Sequence, residues 1–398
     1  MTEFNMVRSE PPAEYAIPSP EVSAVMPCLN EEATLRLCIS KAQEAFKQLG
    51  LQGEVVVADN GSTDGSVALA ESLGARVIHE RRRGYGAALT AGIRAAQGEI
   101  VVMADADDSY DWSAIGDFVA KVRDGFDLVM GNRFKGGIDK GAMPPLHRYL
   151  GNPVLSFLAR TMYNIPIGDF HCGMRAFTRN AFDRMNPNTP GMEFATEMVV
   201  AASHAGLRIA EIPTRLHCDK RGRPPHLRSF RDGWRHLRFM LTYAPDWLYL
   251  VPGLVMTCSG LVGMGVLAGG PIMVSGFRMG IHFLAVFSLL AVLGVNVIGF
   301  GVFAKVLNAP ACAIPPRSAT ARFLGVFTLE RGLLAGMSMS IGGLLVVIAI
   351  LVEWLARGRG DMPDTVHLAF VATTVVALGV NLIFGSFLLY LLRDRRGP

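Results

Sequence analysis

The sequence is poor in charge and lacks any pattern of paired cysteines. Only 18% of its 398 residues are charged, whereas 51% are hydrophobic, which is more apolar than an ordinary soluble protein. The cysteines show no CxxC spacing, so we interpret none of them as structural; they are residues 28, 38, 172, 218, 258 and 312. The chain also contains no GxxxxGK[ST] phosphate loop and no GxGxxG after a first strand, which excludes these two nucleotide-binding motifs.

Four long segments contain no Lys, Arg, Asp or Glu, and all lie toward the carboxyl terminus. They are Trp247–Phe277, Met279–Ala304, Ala335–Val352 and Thr365–Leu392. A run of about 18 apolar residues or more can span a bilayer as a helix. Buried helices of a soluble core are the alternative, but four such runs at one end argue against it. We predict a membrane domain over residues 241–398, with helices at about 247–270, 280–304, 333–355 and 367–392.

Basic residues are concentrated beside particular ends of these helices. Lys and Arg number eight within 215–238, four within 305–331 and three within 393–396, against three in the other two connections. This bias predicts a multipass protein of the cytoplasmic membrane, with both termini and the amino-terminal domain in the cytoplasm. Residues 1–20 are predicted to form a flexible leader and not a signal peptide. The juxtamembrane charge favours membrane lipids over nucleic acid as partners.

Apolar runs alternate with helical patterns in the first half of the chain. The alternation predicts an α/β domain with a mostly parallel sheet, extending over residues 21–240 and including a juxtamembrane basic loop. The predicted strands cover residues 22–26, 54–58, 75–78 and 100–103, and the predicted helices cover 32–49, 64–73 and 85–96. Ligands of such sheets bind beyond the carboxyl ends of the strands.

Polar and glycine-rich stretches follow each of the four predicted strands. They are PCLNEE (27–32), DNGSTDG (59–65), RRRGYGA (81–87) and DADD (105–108). Each has a plainer interpretation, since Asp64 and Asp111 could merely cap helices, and Gly84 and Gly86 could merely permit a tight turn. Asp105 and Asp107, however, place two carboxylates on one side of a turn, which suits Mg²⁺ or Mn²⁺ together with a diphosphate.

The order of these motifs resembles the family 2 glycosyltransferases of GT-A fold. The later stretches GNRF (131–134), GDFHCGMRAF (168–177), GMEFATEM (191–198) and EIPTRL (211–216) narrow the resemblance to the polyprenyl-phosphate glycosyltransferases, the group that includes dolichol-phosphate mannose synthase. The resemblance implies inverting transfer of a hexose from UDP- or GDP-hexose to a polyprenyl phosphate of undecaprenyl or dolichyl type. The four-helix tail resembles that of the multipass members, and a homo-oligomer is possible within the group.

The resemblance also assigns roles to individual residues. Nucleotide-sugar binding is implied for Pro27, Glu31, Asp59, Gly84, Asp105, Ala106, Asp107 and Glu197. Asp105 and Asp107 are the implied metal ligands, and Arg133 and Arg148 the implied ligands of the acceptor phosphate. Two positions depart from the family pattern: Leu29 replaces a tyrosine, and Ser109 replaces a metal-binding glutamine. The second protein ligand of the metal is therefore left open between Ser109, Asp108 and water.

A lipid phosphate is already an anion at pH 7, so it can attack without a side-chain base. The reaction instead requires positive charge that brings the two anions together and a correct alignment of the reacting groups. Arg133, Arg148, Arg221 and Arg223 fit that need, because guanidinium binds phosphate bidentately. The alternative for this loop is contact with lipid headgroups. Glu197 is assigned to sugar binding, with a simple helix-surface charge as the alternative. No QxxRW stretch occurs, which makes processive polymer synthesis a poor interpretation.

Three further points concern a zinc site, the acceptor and a transport function. His171 and Cys172 are too few to form a zinc site, and Asp169, close to them in the sequence, could bind sugar hydroxyls. The acceptor could instead be a glycan or lipid hydroxyl, with the helices serving as an anchor. A transporter or flippase with a regulatory domain is disfavoured, because the predicted helices carry no Asp, Glu, Lys or Arg away from their ends.

Overall fold

The computed structural model describes residues 19–163, 165–220, 229–307, 319–360, 362 and 365–394. Contacts divide the chain into a first unit, Met1–His236, and a second unit, Leu237–Pro398. Arg221 and Arg223 lie outside the described residues.

The first unit is built on a seven-stranded sheet with the order β3-β2-β1-β4-β6-β5-β7. All neighbouring pairs are parallel except β6, which runs antiparallel to both β4 and β5. The strands are β1 (Val22–Cys28), β2 (Gly53–Asp59), β3 (Arg76–His79), β4 (Ile100–Met103), β5 (Leu128–Asn132), β6 (Arg175–Thr178) and β7 (Ile209–Pro213). The expectation of a mostly parallel sheet is confirmed.

Helices connect the strands of this unit. They are α1 (Glu32–Leu49), α2 (Ser66–Ser72), α3 (Tyr85–Ala95), α4 (Ile115–Arg123), α5 (Arg133–Gly136), α6 (Asn152–Tyr163), α7 (Arg179–Met185) and α8 (Phe194–His204). A further helix, α9 (Ser229–Tyr243), crosses the boundary between the two units. The predicted bounds of α1 and β4 agree with the structure to the residue. Helix α1 forms because its apolar positions recur at helical spacing, so that Leu35, Ile39 and Phe46 are buried in the core.

Among its described residues, the second unit contains four helices that are long and apolar enough to cross a membrane, as the sequence predicted. These spans are Asp246–Leu267, Ile281–Leu307, Leu329–Ala356 and Val366–Arg393. The regular helices within the unit are α10 (Val251–Leu267), α11 (Ile281–Leu307), α12 (Ala319–Val326), α13 (Leu329–Ala356) and α14 (Val366–Asp394). A short hairpin of β8 (Ile272–Val274) and β9 (Phe277–Met279) connects α10 to α11 and was not expected from the sequence.

Glycines allow the membrane helices to approach closely. A Cβ atom on Gly260 of α10 would collide with the backbone of Ala291 in α11, and a Cβ atom on Gly336 of α13 would lie 2.7 Å from the carbonyl oxygen of Gly379 in α14. Small residues at such crossings are typical of helix association in membranes, where packing replaces the hydrophobic driving force.

The helical layer on the sheet generates a first prediction. Phe118 of α4 is fully buried among the core residues, so Phe118→Ala should lower the free energy of unfolding of the first unit by about 3–5 kcal/mol. Leu37→Ala is the matched control, because Leu37 lies on α1 with 38% of its surface exposed. Denaturant unfolding of the full chain in detergent measures both variants. Equal effects would contradict the described burial of Phe118.

Candidate functional site

The loops that follow β1, β2 and β4 lie at one edge of the sheet, because these three strands are adjacent and parallel. Strand β1 lies between β2 and β4, with Cys28 in register with Asp59 and Val25 in register with Met103. The antiparallel strand β6 begins at this same edge, since Arg175 pairs with Met103. Ligands of such sheets bind at the carboxyl ends of their strands, so this edge is the candidate site.

Two asparagines fasten the loops of this edge together. The Asn30 side chain accepts a hydrogen bond from the Thr63 amide at 2.7 Å, which joins the loop after β1 to the loop after β2. Asn60 donates to the carbonyl oxygens of Glu80 and Arg82 at 3.0 and 2.8 Å and accepts from the Gly84 amide at 2.7 Å. The loops after β1, β2 and β3 therefore form one hydrogen-bonded rim.

Asp59, the predicted base-binding residue, lies on this rim with 4% of its surface exposed. Its carboxylate accepts hydrogen bonds from the amides of Gly61 and Ser62 at 3.2 and 2.9 Å and lies 3.2 Å from His79 Nδ1. Burial alone would raise the pKa of Asp59, but the hydrogen bonds from Ser62, His79 and Gly61 hold it below its usual value. Asp59 is therefore an anion that the loop has already oriented.

Pro27 and Glu31, the other residues expected at the base, lie beside Asp59. Pro27 is partly exposed near the end of β1 and is in register with Ala58. Glu31 is 7% exposed, and its backbone amide donates to Ser66 Oγ at 2.9 Å. The pairing of β1 with β2 therefore places the three predicted base contacts at the same end of the sheet.

Gly84 and Glu197, also expected to bind the nucleotide-sugar, are joined through the loop 188–191. A Cβ atom on Gly84 would collide with the carbonyl oxygen of Pro190, so only glycine fits there. Glu197 of α8 accepts hydrogen bonds from the amides of Asn188 and Thr189 at 3.1 and 2.8 Å. Both side-chain oxygens of Glu197 thus hold this loop in place, which supports a positioning role beside the predicted role as a sugar ligand.

The acidic loop after β4 is held from beneath by neighbouring side chains. Thr34 Oγ1 donates to the Ala106 carbonyl at 2.8 Å, and Trp112 Nε1 donates to the Asp105 carbonyl at 3.2 Å. Ala106 itself is 2% exposed, so its methyl group belongs to the core; Asp105 beside it is partly exposed, whereas Asp107 is 4% exposed. Burial, followed by the charge of Asp105, raises the pKa of Tyr85 well above its usual value, which keeps its hydroxyl protonated beside that carboxylate.

Asp107 is oriented by the residue that departs from the family pattern. Ser109 donates to Asp107 Oδ1 through its backbone amide at 3.0 Å and through its hydroxyl at 2.5 Å. Ser109 therefore orients the carboxylate of Asp107. This contact favours the orienting role for Ser109 over a role as a metal ligand.

Asp108 carries the positive partners that the acidic loop requires. Lys41 Nζ lies 2.7 Å from Asp108 Oδ1, and Lys220 Nζ lies 2.7 Å from Asp108 Oδ2. Burial alone would raise the pKa of Asp108, but the hydrogen bonds and charges of Lys220 and Lys41 hold it below its usual range. With both oxygens engaged and 2% of its surface exposed, Asp108 is a poor candidate for the second metal ligand. That alternative is corrected.

Asp105 and Asp107 fit a hard divalent cation by the chemistry of their donors. Both supply carboxylate oxygens, Asp105 is partly exposed, and Asp107 is oriented by Ser109. Within the described ranges, no group of three or more His, Cys, Asp or Glu is arranged to hold a metal. A cation here would therefore complete its shell with water or phosphate oxygens, as Mg²⁺ commonly does.

Arg133, expected to hold an acceptor phosphate, forms a buried ion pair. Its Nε and Nη2 atoms donate to the two oxygens of Asp169 at 2.7 and 2.8 Å. Asp169 has no exposed surface, which corrects its assignment as a ligand of sugar hydroxyls. Arg148, in contrast, is partly exposed and lies over the ring of Tyr149. Arg133 is thus held in a buried ion pair whereas Arg148 is partly exposed, although the sequence predicted the same role for both.

His171 and Cys172 do not form a reactive pair. Burial raises the pKa of the Cys172 thiol to about 12, which leaves it protonated. Burial, followed by the charge of His236, holds the pKa of His171 well below its usual value. The rings of the two histidines meet edge to face, with centroids 4.7 Å apart. His171 and Cys172 therefore pack within the first unit, and neither is a candidate nucleophile.

Comparison with known proteins identifies the family of this chain. A glycosyl transferase family 2 model matches residues 23–185, and a model of the family 2 C-terminal transmembrane region matches residues 302–393. The low-salt glycan biosynthesis hexosyltransferase Agl6 of Haloferax volcanii is 38% identical over 376 residues, which cover 93% of this chain and 89% of that protein. Dolichyl-phosphate hexose transferase of the same organism is 32% identical over 195 residues, which cover 48% of this chain and 81% of that protein.

A similar solved structure is glucosyl-3-phosphoglycerate synthase from Mycobacterium tuberculosis in complex with Mn²⁺, UDP and glucosyl-3-phosphoglycerate. It is 24% identical, covers 56% of this chain and 80% of its own, and superposes with a TM-score of 0.45.

The buried ion pair generates a second prediction. Asp169→Asn leaves the Arg133 guanidinium buried without its charge partner, so it should lower the free energy of unfolding by about 3–5 kcal/mol. Asp124→Asn, which breaks the exposed pair with Lys121, should leave the unfolding midpoint nearly unchanged. Denaturant unfolding of the full chain compares the two variants.

Replacing both partners distinguishes packing from ligand binding. The double variant Arg133→Met with Asp169→Leu should recover most of the lost stability, because an apolar pair can replace a buried ion pair. A stable double variant that transfers normally would show that Arg133 has no part in binding the acceptor.

Proposed function

We propose that this chain, a member of glycosyltransferase family 2, transfers a hexose with inversion from UDP- or GDP-hexose to a polyprenyl phosphate. The lipid-linked sugar would form on the cytoplasmic face of the membrane. One observation carries the proposal: Asp59, Asp105 and Asp107 follow strands on either side of β1, in a chain that also has four membrane-length helices. The first unit supplies the GT-A domain that the family requires.

The donor site is the rim around Asp59 and the acidic loop. Asp59 is an oriented anion, so it can accept a hydrogen bond from a ring N–H of the base. Asp105 and Asp107 are the residues that would hold Mg²⁺ or Mn²⁺, which as a Lewis acid would offset negative charge on the departing diphosphate. The other residues of the rim keep these three carboxylates in place.

Three carboxylates of the first unit are engaged by other groups of the protein, which supports a phosphate acceptor. Transfer to a hydroxyl requires a base, but Glu197 is bonded to its loop, Asp169 to Arg133, and Asp108 to two lysines. A lipid phosphate is anionic at pH 7 and attacks the anomeric carbon without losing a proton. It requires positive charge and alignment, for which Arg148 and the sequence segment containing Arg221 and Arg223 are candidates.

The experiment that tests the proposal uses the purified full chain in detergent. It is incubated with undecaprenyl or dolichyl phosphate, the matching polyprenols, and a panel of UDP- and GDP-hexoses with Mn²⁺ or Mg²⁺. The expected result is one lipid-linked product that requires the phosphate. Transfer to the polyprenol or to a free sugar, with none to the phosphate, would overturn the proposed acceptor.

A third prediction concerns the metal. Asp107→Asn should reduce transfer to background, because it removes a charge from the cation that neutralises the leaving diphosphate. EDTA should abolish wild-type transfer, and Mn²⁺ or Mg²⁺ should restore it. Asp117→Asn, on the exposed surface of α4, is the matched control and should remain active. Transfer by Asp107→Asn that persists at the wild-type rate in EDTA would rule out the metal site.

A fourth prediction concerns the acceptor. Arg221→Ala combined with Arg223→Ala should raise the KM for polyprenyl phosphate severely, because these arginines lie in the sequence just before the membrane domain and guanidinium binds phosphate bidentately. Donor binding, measured by calorimetry, should stay within about threefold, because the acceptor is the ligand proposed for these arginines. Arg36→Ala with Lys47→Ala removes two exposed charges of α1 as a control. If the KM for polyprenyl phosphate is unchanged in the double variant of Arg221 and Arg223, these arginines contact lipid headgroups only.

A further inference from the structure

The carboxylate of Asp108 joins two lysines that lie far apart in the sequence. Lys41 belongs to α1, whereas Lys220 follows β7 near the end of the first unit. Each ammonium nitrogen lies 2.7 Å from a different oxygen of the same carboxylate. We call Lys41, Asp108 and Lys220 the lysine bracket. Its members lie directly beside Asp107 in the acidic loop.

The backbone of Asp108 adopts a conformation that is unfavourable for a residue other than glycine. Asp108 has a φ angle of +60°, in the left-handed region that non-glycine residues seldom occupy, and its side chain is 3% exposed. A buried carboxylate is stable only when it is paired and hydrogen-bonded. The two lysines supply that pairing, and the conformation turns Asp108 toward them.

The two lysines differ in what they can reach. The Lys41 side chain is 28% exposed and also lies 3.7 Å from Asp111 Oδ1, so it faces the acidic loop. The Lys220 side chain is 62% exposed, and an ammonium group has three donors, of which Asp108 uses one. Lys220 is therefore the solvent-facing end of the bracket.

The backbone fixes Lys220 beside the donor site. Its amide hydrogen bonds to the Asp107 carbonyl at 3.4 Å, and the His217 amide donates to the Ser109 carbonyl at 2.9 Å. This short segment thus runs along the acidic loop from Asp107 to Ser109. The position of Lys220 follows any movement of the loop that carries Asp105 and Asp107.

We infer that Lys220 binds a phosphate group during the transfer reaction, with Asp108 positioning its ammonium and Lys41 anchoring Asp108. The inference rests on the proposed function. The phosphate belongs either to the nucleotide diphosphate or to the acceptor, since both must approach the same acidic loop. The ammonium group of Lys220, whose side chain is 62% exposed, is the positive charge of the bracket that a phosphate can reach. This charge offsets the repulsion between the phosphate and the neighbouring carboxylates.

The fifth prediction compares variants of the bracket in the full chain. Lys220→Met should weaken phosphate binding about tenfold or more, and Lys220→Arg should restore most of it because it keeps the charge. Lys140→Met, at another exposed lysine of the first unit, controls for net charge and should stay within about twofold. Lys41→Met should mainly lower the unfolding midpoint. Asp108→Asn tests positioning, because asparagine tolerates the left-handed backbone, and it should weaken phosphate binding as Lys220→Met does.

Two measurements identify the source of the phosphate. Calorimetry compares UDP and GDP with uridine and guanosine, and steady-state assays give the KM for undecaprenyl phosphate. A loss confined to the diphosphates assigns Lys220 to the nucleotide, and a raised acceptor KM with unchanged diphosphate affinity assigns it to the acceptor. Either result supports the inference.

Other outcomes overturn it. If Lys220→Met matches Lys140→Met in both measurements, Lys220 binds no phosphate, even when the wild type transfers sugar to lipid phosphate. If Lys220→Met and Lys41→Met lower stability equally and Lys220→Arg restores nothing, the bracket is only structural. Diphosphate binding that depends on Lys220 in a wild type inactive on lipid phosphate would retain the inference and reject the proposed acceptor.

Discussion

The repulsion among the carboxylates that follow β4 is the constraint on which the site depends. Asp105, Asp107, Asp108 and Asp111 lie within seven residues, and such a cluster is stable only when positive charge is placed among them. Lys41 and Lys220 supply that charge by binding Asp108. The fold of the first unit provides both, because α1 packs on the sheet beneath the loop and the segment after β7 crosses beside it. Asp105 and Asp107, in the same loop, are the residues proposed to hold the cation.

Contacts between loops make this edge rigid. Asn60 secures the loop after β3, Glu197 secures the loop 188–191, and Gly84 lets these two loops approach one another. Asn60 and Glu197 use their polar groups on backbone amides or carbonyls, which a buried or crowded loop must satisfy. A donor site assembled this way has little to reorganise when a nucleotide-sugar arrives, which is an advantage when catalysis depends on positioning.

The sequence predicted the local features well and the long-range pairs poorly. Buried apolar runs identified β1, β2 and β4, and helical periodicity identified α1, because these signals lie within a few neighbouring residues. The pairing of Asp108 with Lys220 and that of Arg133 with Asp169 join residues that no local pattern connects. A lysine on a helix face, such as Lys41, ordinarily indicates solvent contact, and only the tertiary packing shows its partner.

The same distribution of charge bears on the choice of acceptor. An enzyme that transfers sugar to a hydroxyl must keep a carboxylate available to take the proton, yet Asp108, Asp169 and Glu197 are all held by other groups of the protein. Asp105 and Asp107 serve the donor in the proposed mechanism. What this edge provides in addition is positive charge that reaches solvent, at Lys220 and at Arg148. A phosphate needs that charge and needs no base, so the electrostatics of the first unit and the membrane-length helices of the second favour the same kind of acceptor.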